Sequence, residues 1–450
     1  MNNTIVAIST ALGVGAISIV RLSGQDAIKI VNKCFKGKDL TKVPTHTIHY
    51  GYIYEKEEII DEVLVSVMKA PKTYTAEDVV EINCHGGIIS TNRILQTMLN
   101  NGAILAQAGE FTKRAFLNGR IDLIKSESVM DIIESKSEEA RKLALKSLTG
   151  HTSELINSFR DKLKDLLSQI EVNIDYPEYQ DIEVVTQEKI RHEVTKMKKD
   201  IQFLIKESEN SIIIKNGIKT VIIGKPNVGK SSILNKLIQK DKAIVTSIAG
   251  TTRDIVEGEI YLDGILLNII DTAGIRNTND IVEQIGVEKS LSMIDEADLV
   301  IVVLNNNEKL TEEDKIILEK TKNKQRIITI NKDDLEKHIN IDKTLENIVY
   351  TNTKDYNGIN NLKNKIKELF NLEKINTQDY TYLTNSRQIS LAKKAYKSLL
   401  QAEKSLSMDL PVDIIEIDLM NTFNFLGEII GKTYTDEIID NLFENFCVGK

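Results

Sequence analysis

Residues 224–231 of this 450-residue chain spell Gly-Lys-Pro-Asn-Val-Gly-Lys-Ser and fit the pattern G-x-x-x-x-G-K-[ST]. The apolar run Thr220–Ile223 before them predicts a buried strand, and Ser232–Leu237 after them predicts the start of a helix. Glycines let backbone N–H groups turn toward phosphate oxygens, and the helix N-terminus adds a favourable dipole. In this arrangement Lys230 reaches the β- and γ-phosphates and Ser231 binds Mg²⁺. The stretch therefore predicts a nucleotide-binding α/β domain near the middle of the chain.

The length and composition indicate a multidomain protein of a reducing compartment. A chain of 450 residues is expected to form two to four domains of roughly 100–200 residues each. The net charge of −8 gives no global sign of nucleic-acid binding, although a local basic patch remains compatible with it. Three scattered cysteines predict neither a zinc site nor a disulfide framework. No signal-peptide pattern or apolar run long enough for a membrane span is found, so we expect a cytoplasmic protein without a membrane span.

The periodicity of apolar residues changes three times along the chain. Residues 1–115 mix short strand and helix patterns, which predicts an α+β domain. The strands are predicted at Ile5–Ile8, Ala16–Leu22, Val63–Met68 and Val79–Cys84, and the helices at Gln25–Phe35 and Ile88–Asn100. Residues 217–370 alternate strand and helix patterns, which is typical of a mostly parallel α/β sheet.

Two regions on either side of the α/β region have helical spacing of apolar residues. Their predicted helices are Ser126–Leu148, Thr152–Asn173, Gln187–Ser211, Arg387–Met408, Val412–Leu426 and Thr435–Phe446. The economical interpretation is a discontinuous helical domain with the α/β domain inserted in it, since insertion succeeds where a domain's ends lie close together. The rival interpretation is four domains in series. The expected boundaries are 1–119, 120–212, 213–372 and 373–450.

Three segments follow the phosphate loop in the order that a GTPase requires. A Thr in Gly250–Asp254 can complete Mg²⁺ coordination and sense the γ-phosphate. Asp271–Gly274 follows a strand pattern and offers a carboxylate near Mg²⁺ and a glycine amide for the γ-phosphate. Asn331–Asp334 fits N-K-x-D, in which the carboxylate of Asp334 accepts from the guanine N1–H and 2-amino groups. Adenine lacks this donor pair, so the segment predicts GTP over ATP.

The residues expected to contact the nucleotide come from all four segments. They are Asn227, Val228, Gly229, Lys230, Ser231, Ser232, Thr246, Ser247, Ile248, Ala249, Gly250, Thr251, Thr252, Asp271, Thr272, Ala273, Gly274, Asn331, Lys332 and Asp334. A fifth segment that backs the guanine, usually S-A-K, matches only weakly at Asn352-Thr353-Lys354.

The residues that would position the hydrolytic water are harder to predict from the sequence than the nucleotide contacts. Ras-type enzymes place a Gln just after D-x-x-G, and the chain has Ile275 there, which has no polar group. Asn227 offers a side-chain oxygen that can hold a monovalent cation beside the phosphates, or it can stabilise the loop by a hydrogen bond. Glu283 is a polar candidate for positioning water, with a solvated helix residue as its alternative.

The whole chain resembles the bacterial tRNA-modification GTPase family MnmE, also called TrmE. Beyond the GTPase segments, the resemblance rests on Ala16–Gly24, Glu77–Gly87, Gly109–Leu123 and the C-terminal Phe-Cys-Val-Gly-Lys of Phe446–Lys450. The chain differs from the family near the N-terminus, where Ala-Leu-Gly replaces Pro-Pro-Gly. The resemblance implies an N-terminal folate-binding domain that also forms a homodimer, a discontinuous helical domain and an inserted GTPase domain.

The resemblance also assigns ligands to individual residues. It implies 5-formyltetrahydrofolate near Arg21, Glu81, Arg120 and Lys450, where cations meet the glutamate carboxylates and a carboxylate accepts from the pterin. It makes Cys447 a candidate catalytic thiol, whose alternative is a buried small apolar residue. It assigns Mg²⁺ to Ser231 and Thr252. It assigns K⁺ to Asn227, Thr246, Ile248 and Thr251, and water orientation to Glu283.

The resemblance implies a K⁺-stimulated GTPase that modifies tRNA. With an MnmG-type flavoprotein, in a heterotetramer, it would add a carboxymethylaminomethyl group to the wobble uridine of certain tRNAs. The folate would supply the one-carbon unit, and GTP hydrolysis would drive closing and opening of paired GTPase domains. Two alternatives are a ribosome-assembly GTPase and a purely mechanical GTPase, both without folate chemistry.

Overall fold

The computed structural model describes most of the chain in ten segments. These are residues 3–175, 187–240, 258–262, 265–270, 294–342, 344–352, 357–370, 382–433, 436–444 and 446–450. The chain divides into two compact units. The first unit is Met1–Met130, Leu148–Ile190 and Gln401–Lys450, and the second is Asp131–Ser147 and Arg191–Leu400.

A seven-stranded sheet forms the N-terminal part of the first unit, in the order β3-β4-β5-β6-β2-β1-β7. Its strands are β1 Ile5–Ile8, β2 Ile17–Ser23, β3 Phe35–Lys36, β4 Thr47–Glu55, β5 Glu58–Met68, β6 Val79–His85 and β7 Ile104–Leu105. The helices of this region are α1 Ala27–Cys34, α2 Ile88–Asn100 and α3 Glu110–Leu117. The α+β domain expected from the sequence is confirmed.

The two faces of this sheet differ in composition. In β5 the alternate residues Val63, Val65 and Val67 are buried in a core cluster that also contains residues of α1 and α2. Side chains alternate between faces along a strand, so the residues between them lie on the opposite face. One cross-strand row of that opposite face consists of Ile48, Ser66, Glu81 and Arg21. This open face therefore carries two of the predicted folate residues.

The rest of the first unit is helical. Its elements are part of α4 Leu123–Glu134, α6 His151–Asp175, α12 Val412–Ile430 and α13 Asp436–Phe443. Helices α6 and α12 pack together, and the guanidinium of the buried Arg160 lies 4.2 Å from the ring centre of Phe423. Helix α12 ends where Gly431 adopts the left-handed conformation with φ of 87°, which halts a helix at little cost in glycine.

The second unit contains a six-stranded sheet in the order β13-β12-β11-β8-β10-β9. Its strands are β8 Ile218–Ile223, β9 Gly258–Leu262, β10 Ile265–Ile270, β11 Leu299–Asn305, β12 Arg326–Asn331 and β13 Ile348–Thr351. Its helices are α5 Glu138–Leu148, most of α7 Gln187–Asn216, α8 Lys230–Lys240, α9 Glu312–Lys320, α10 Asn357–Leu369 and most of α11 Ser386–Ser407. Strand β9 is antiparallel to β10, and the other described pairs are parallel.

Most predicted elements are confirmed within a few residues, and one predicted helix is wrong. The expected helix Ser126–Leu148 is two helices, α4 and α5, separated at residues 135–137. The hydroxyl of Ser135 donates back to the carbonyl of Asp131, and the hydroxyl of Ser137 accepts from the N–H of Ala140 as an N-terminal cap. Serine side chains that bond the local backbone favour helix ends over helix interiors.

Among the described helices, none combines the length and apolar character that crossing a membrane requires.

Candidate functional site

The phosphate loop connects the buried strand β8 to helix α8, as the motif requires. Two of its residues have backbone conformations in the left-handed region, Asn227 with φ of 61° and Gly229 with φ of 100°. A Cβ at Gly229 would lie 2.1 Å from the amide nitrogen of Asn331, and one at Gly224 would lie 2.3 Å from the Val303 carbonyl oxygen. Both glycines are thus required by close approaches, and the loop keeps the shape that exposes its N–H groups.

Lys230 folds over its own loop. Its ammonium donates to the carbonyls of Gly224 and Lys225, at 2.9 Å and 2.9 Å. An ammonium held against such a loop can turn toward a bound phosphate, which is what a phosphate-binding lysine must do. The chemistry of the loop therefore fits a nucleotide phosphate with its Mg²⁺, for which Ser231 stands at the start of α8.

Asn331 joins the phosphate loop to the N-K-x-D segment. Its buried side-chain amide donates to the Val228 carbonyl at 2.9 Å, and its amide oxygen accepts from the Thr351 hydroxyl at 3.2 Å. The side chain therefore binds the phosphate loop at one end and the last residue of β13 at the other. Lys332 follows in the left-handed region with φ of 62°, and Asp334 is exposed at the same edge of the sheet. Asn331 thus acts as a tether, which is a side chain that ties the phosphate loop to the N-K-x-D segment. Asp334 remains the carboxylate that is predicted to bind the guanine.

Lys225 of the phosphate loop belongs to a charged cluster. The ammonium of Lys225 lies 2.6 Å from a Glu308 carboxylate oxygen and 3.5 Å from one of Asp314. Burial works against the charge of Lys225, but the hydrogen bond that Lys225 donates to Glu308 and the nearby charge of Asp314 outweigh it and raise the Lys225 pKa. The same hydrogen bond lowers the pKa of Glu308. No pattern in the sequence points to these partners, because the contact joins residues more than 80 positions apart.

Asn227 is exposed, and the described residues offer its side chain no hydrogen bond. The loop-stabilising alternative for this residue is therefore not seen in the described part of the chain. Many other predicted nucleotide residues lie outside the described residues: Thr246, Ser247, Ile248, Ala249, Gly250, Thr251, Thr252, Asp271, Thr272, Ala273, Gly274 and Glu283. Ile275, Thr353 and Lys354 also lie outside them.

A second polar site lies on the open face of the N-terminal sheet. Arg21 and Glu81 face each other across β2 and β6, and the Arg21 Nε and Nη2 atoms each lie 2.8 Å from Glu81 Oε1. The Arg21 Nη1 atom donates to the Gly449 carbonyl at 3.0 Å. Every nitrogen of this guanidinium thus has a partner, and the pair is joined to the end of the chain.

The C-terminal residues are held along the N-terminal region by backbone contacts. Val448 forms an antiparallel bridge with Ala108, and the N–H of Gly109 donates to the Cys447 carbonyl at 3.2 Å. The Ser9 hydroxyl donates to the Gly449 carbonyl at 3.0 Å. Gly449 has φ of 87°, which suits glycine, and a Cβ there would lie 2.5 Å from the Ile8 carbonyl oxygen. The tail therefore reaches Arg21 by a path that only glycine permits at this position.

The tail brings Lys450 and Cys447 to the Arg21–Glu81 pair. Burial and then the positive charge of Arg21 lower the pKa of Lys450. The Cys447 thiol is exposed, so the buried apolar alternative for this residue is wrong. Cys34 and Cys84 are buried instead, and burial raises the pKa of Cys34 to about 12. Among the three thiols, Cys447 alone is open to solvent in the structure.

The polar groups of this second site are compatible with a bound folate. Glu81 Oε2 has no hydrogen-bond partner among the described residues, so it can accept from the N–H groups of a pterin. Arg120 is exposed on the same side, with its Cζ atom 5.0 Å from the ring centre of Tyr74. A carboxylate acceptor with several cations around it complements a neutral heterocycle joined to an anionic tail.

Two family models together match nearly the whole chain. A family model described as MnmE helical domain matches residues 123–447, and one described as GTP-binding protein TrmE N-terminus matches residues 4–120. The chain is 51% identical, over 100% of its length and 98% of the relative's, to the tRNA modification GTPase MnmE of Ligilactobacillus salivarius (strain UCC118). The chain belongs to the MnmE family.

Other matches cover either the whole chain or about a third of it. The tRNA modification GTPase MnmE of Staphylococcus aureus (strain Newman) is 49% identical to this MnmE-family chain, over 100% of this chain and 99% of the relative. Among solved structures, the G domain of the T. maritima FeoB iron transporter is 26% identical, covering 34% of this chain and 98% of that one with a TM-score of 0.24. Membership of the MnmE family makes the chain a GTP hydrolase that acts in tRNA modification.

Proposed function

We propose that this MnmE-family chain is a K⁺-stimulated GTPase that adds a carboxymethylaminomethyl group to the wobble uridine of certain tRNAs. The observation that carries the proposal is that Arg21, Glu81 and the C-terminal Lys450 lie close together in a chain that also has a phosphate loop. A ribosome-assembly or mechanical GTPase has no use for such a cluster. We propose domain boundaries of 1–119, 120–212, 213–372 and 373–450, with the GTPase domain inserted between two helical segments.

The nucleotide residues bind GTP and hold its charge. The loop amides and Lys230 meet the phosphates, Ser231 and Thr252 hold Mg²⁺, and Asp334 accepts from the guanine. Bound Mg²⁺ offsets the charge that develops on the phosphate oxygens. The position after D-x-x-G is Ile275, so in this proposal Glu283 orients the attacking water.

A potassium ion takes the place of an arginine finger in this proposal. Asn227 supplies a side-chain oxygen, and the backbones of Thr246, Ile248 and Thr251 supply carbonyls. The exposed Asn227 side chain, without a hydrogen bond to the described residues, is compatible with a cation ligand. The ion also lets two GTPase domains associate across their nucleotide faces, and hydrolysis opens them again.

The folate pocket supplies the carbon that is transferred. In this proposal 5-formyltetrahydrofolate binds with its pterin at Glu81, and the positive charges of Arg21, Arg120 and Lys450 attract its anionic tail. Arg21 fixes the orientation of Glu81 through their paired contact. The exposed thiol of Cys447 is the proposed catalytic nucleophile beside the pocket.

We propose that the chain forms a homodimer through the open face of its N-terminal sheet. Ile48, Tyr50 and Leu64 are exposed there, and Tyr50 lies opposite Leu64 across β4 and β5. This apolar surface continues into the row that contains Glu81 and Arg21, so a second copy would cover it beside the folate pocket. Leu64→Arg is expected to shift the sedimentation coefficient to that of a monomer. Ile316→Arg, an equally exposed site in α9, is the control.

The complete modification needs partners that supply redox chemistry and substrate. We propose a heterotetramer of two copies of this chain with two copies of an MnmG-type flavoprotein, acting on tRNA. The flavin and NADH of that partner would carry the electrons, and its surface would supply much of the tRNA contact. The net charge of −8 is compatible with this division of labour.

GTP turnover in KCl and in NaCl tests the nucleotide part of the proposal. KCl is expected to accelerate turnover strongly, and Asn227→Ala is expected to remove the difference between the two salts.

Glu283→Ala should keep GTP affinity and slow turnover about 10²–10³-fold, since it removes a group that acts only in the chemical step. Equal turnover in both salts, or unchanged turnover in Glu283→Ala, would contradict the assignment concerned.

A further inference from the structure

The ring of Tyr74 lies close to both arginines of the proposed folate site. The centre of its ring is 5.0 Å from Arg120 Cζ and 6.0 Å from Arg21 Cζ. Its hydroxyl hydrogen-bonds the buried Thr112 at 2.8 Å. A cation within about 6 Å of an aromatic face is attracted by the negative charge of that face. The ring is therefore in a position to attract both guanidinium groups.

The loop that carries Tyr74 is fixed at several points. The buried Arg114 guanidinium pairs with Glu77 at 3.1 Å, and Glu77 also accepts from the Ser23 hydroxyl at 2.8 Å. The Asn118 side chain donates to the Thr75 carbonyl at 2.7 Å. Buried charged and polar partners of this kind permit few alternative loop conformations. The Tyr74 ring is consequently a fixed platform.

The two arginines beside this platform differ in what they have left to offer a ligand. Arg21 directs three of its five N–H donors to Glu81 and the Gly449 carbonyl. Arg120 is exposed, and the contact that the described residues offer its guanidinium is the Tyr74 ring. Its five N–H donors thus remain open to a carboxylate, which a guanidinium binds through two parallel hydrogen bonds.

We infer that Tyr74 is a positioning residue that holds the Arg120 guanidinium over the pocket, so that Arg120 rather than Arg21 binds the carboxylates of the folate tail. The inference rests on the proposed folate site and assigns its two ends. Glu81, oriented by Arg21, meets the pterin end. Arg120, oriented by Tyr74, meets the glutamate end. Tyr74 is a specificity residue in this account because it determines how strongly the pocket prefers an anionic tail.

Calorimetric binding of two ligands tests the inference on the full-length protein. One ligand is 5-formyltetrahydrofolate, and the other is the matching pteroyl amide, which lacks the glutamate and has no carboxylate. Tyr74→Leu should weaken binding of the folate about tenfold and leave binding of the amide unchanged, because the variant loses the ring that holds the Arg120 guanidinium in place. Arg120→Met should give the same result, and the double variant should add little to either.

Two further variants distinguish positioning from folding. Tyr74→Phe keeps the ring and should restore the preference for the folate over the amide to within about threefold. Tyr350→Leu removes a ring that also lies near a cation, Lys337 at 5.6 Å, but in the other unit, and should change neither affinity.

The possible outcomes separate this inference from the proposed function. If the unaltered chain shows no saturable binding of 5-formyltetrahydrofolate, the folate function fails and the inference fails with it. If the unaltered chain binds the folate and Tyr74→Leu weakens folate and amide equally, or neither, the positioning role of Tyr74 is wrong while the folate function stands.

Discussion

The phosphate loop and the N-terminal pocket hold their cations in opposite ways. Lys230 is bound by carbonyls five and six positions before it in the sequence. Arg21 is bound by Glu81, 60 positions away, and by Gly449, 428 positions away. The first site is local, and the second depends on chain ends that meet only after folding. We therefore expect changes at the C-terminus to affect folate binding without affecting GTP turnover. Changes in the phosphate loop should do the reverse.

Removing the loop cation should give the largest effect. Lys230→Ala takes away the ammonium that meets the phosphates, so GTP turnover is expected to fall about 10²–10³-fold. Binding of 5-formyltetrahydrofolate should stay as it is. Lys219→Ala, at the exposed other end of β8, serves as the control and should leave both measurements unchanged. A parallel loss of folate binding in Lys230→Ala would show that the two sites are not independent.

Changing the tail glycine should give the reverse pattern. Gly449→Ala places a Cβ 2.5 Å from the Ile8 carbonyl oxygen at φ of 87°. The left-handed conformation costs a non-glycine residue about 1–2 kcal/mol, so folate affinity is expected to fall about tenfold. GTP turnover should be unaltered. Gly87→Ala, where a Cβ meets nothing within 4 Å, is the matched control. Undiminished folate binding in Gly449→Ala would mean that the tail does not shape the pocket.

Removing the tether of the phosphate loop should have a moderate effect on stability. Asn331→Ala leaves the buried Val228 carbonyl without its donor, and an unsatisfied buried group costs about 1–3 kcal/mol. The urea midpoint of the second unit is expected to fall, and GTP affinity should fall with it because the loop loses a support. Asn323→Ala, an exposed site between α9 and β12, should change neither quantity. An unchanged midpoint in Asn331→Ala would exclude the tether.

The smallest expected effect is a pH-dependent change in stability at the end of strand β6. The hydrogen bond with Asp61, followed by the charge of Asp61, raises the pKa of His85. The stabilisation from this pair is complete below the unfolded pKa of about 6.5 and is lost as pH rises through the raised folded pKa. The urea midpoint of the unaltered chain should therefore exceed that of His85→Gln at pH 5.5 and approach it at pH 8.5. A difference that does not depend on pH would refute this assignment.

The sequence predicts the local site far better than the distant one. The loop glycines, Lys230 and the N-K-x-D segment can be recognised from short motifs, because each motif encodes one turn or one strand end. The Arg21–Glu81 pair and Gly449 have no such motif, and only the family resemblance pointed to them. Tyr74, Lys225 and Glu308 gave no signal, since their contacts join separate loops. The break between α4 and α5 was missed because helical spacing continues across two serines that cap instead of extend.

Binding of 5-formyltetrahydrofolate to the intact chain and to a chain without Lys450 tests the central claim most directly. The account predicts saturable binding by the intact chain, a strong loss of affinity without Lys450, and equal GTP turnover in the two proteins. The absence of saturable binding by the intact chain, or equal affinity in both, would contradict the claim that the C-terminus completes a folate pocket in this GTPase.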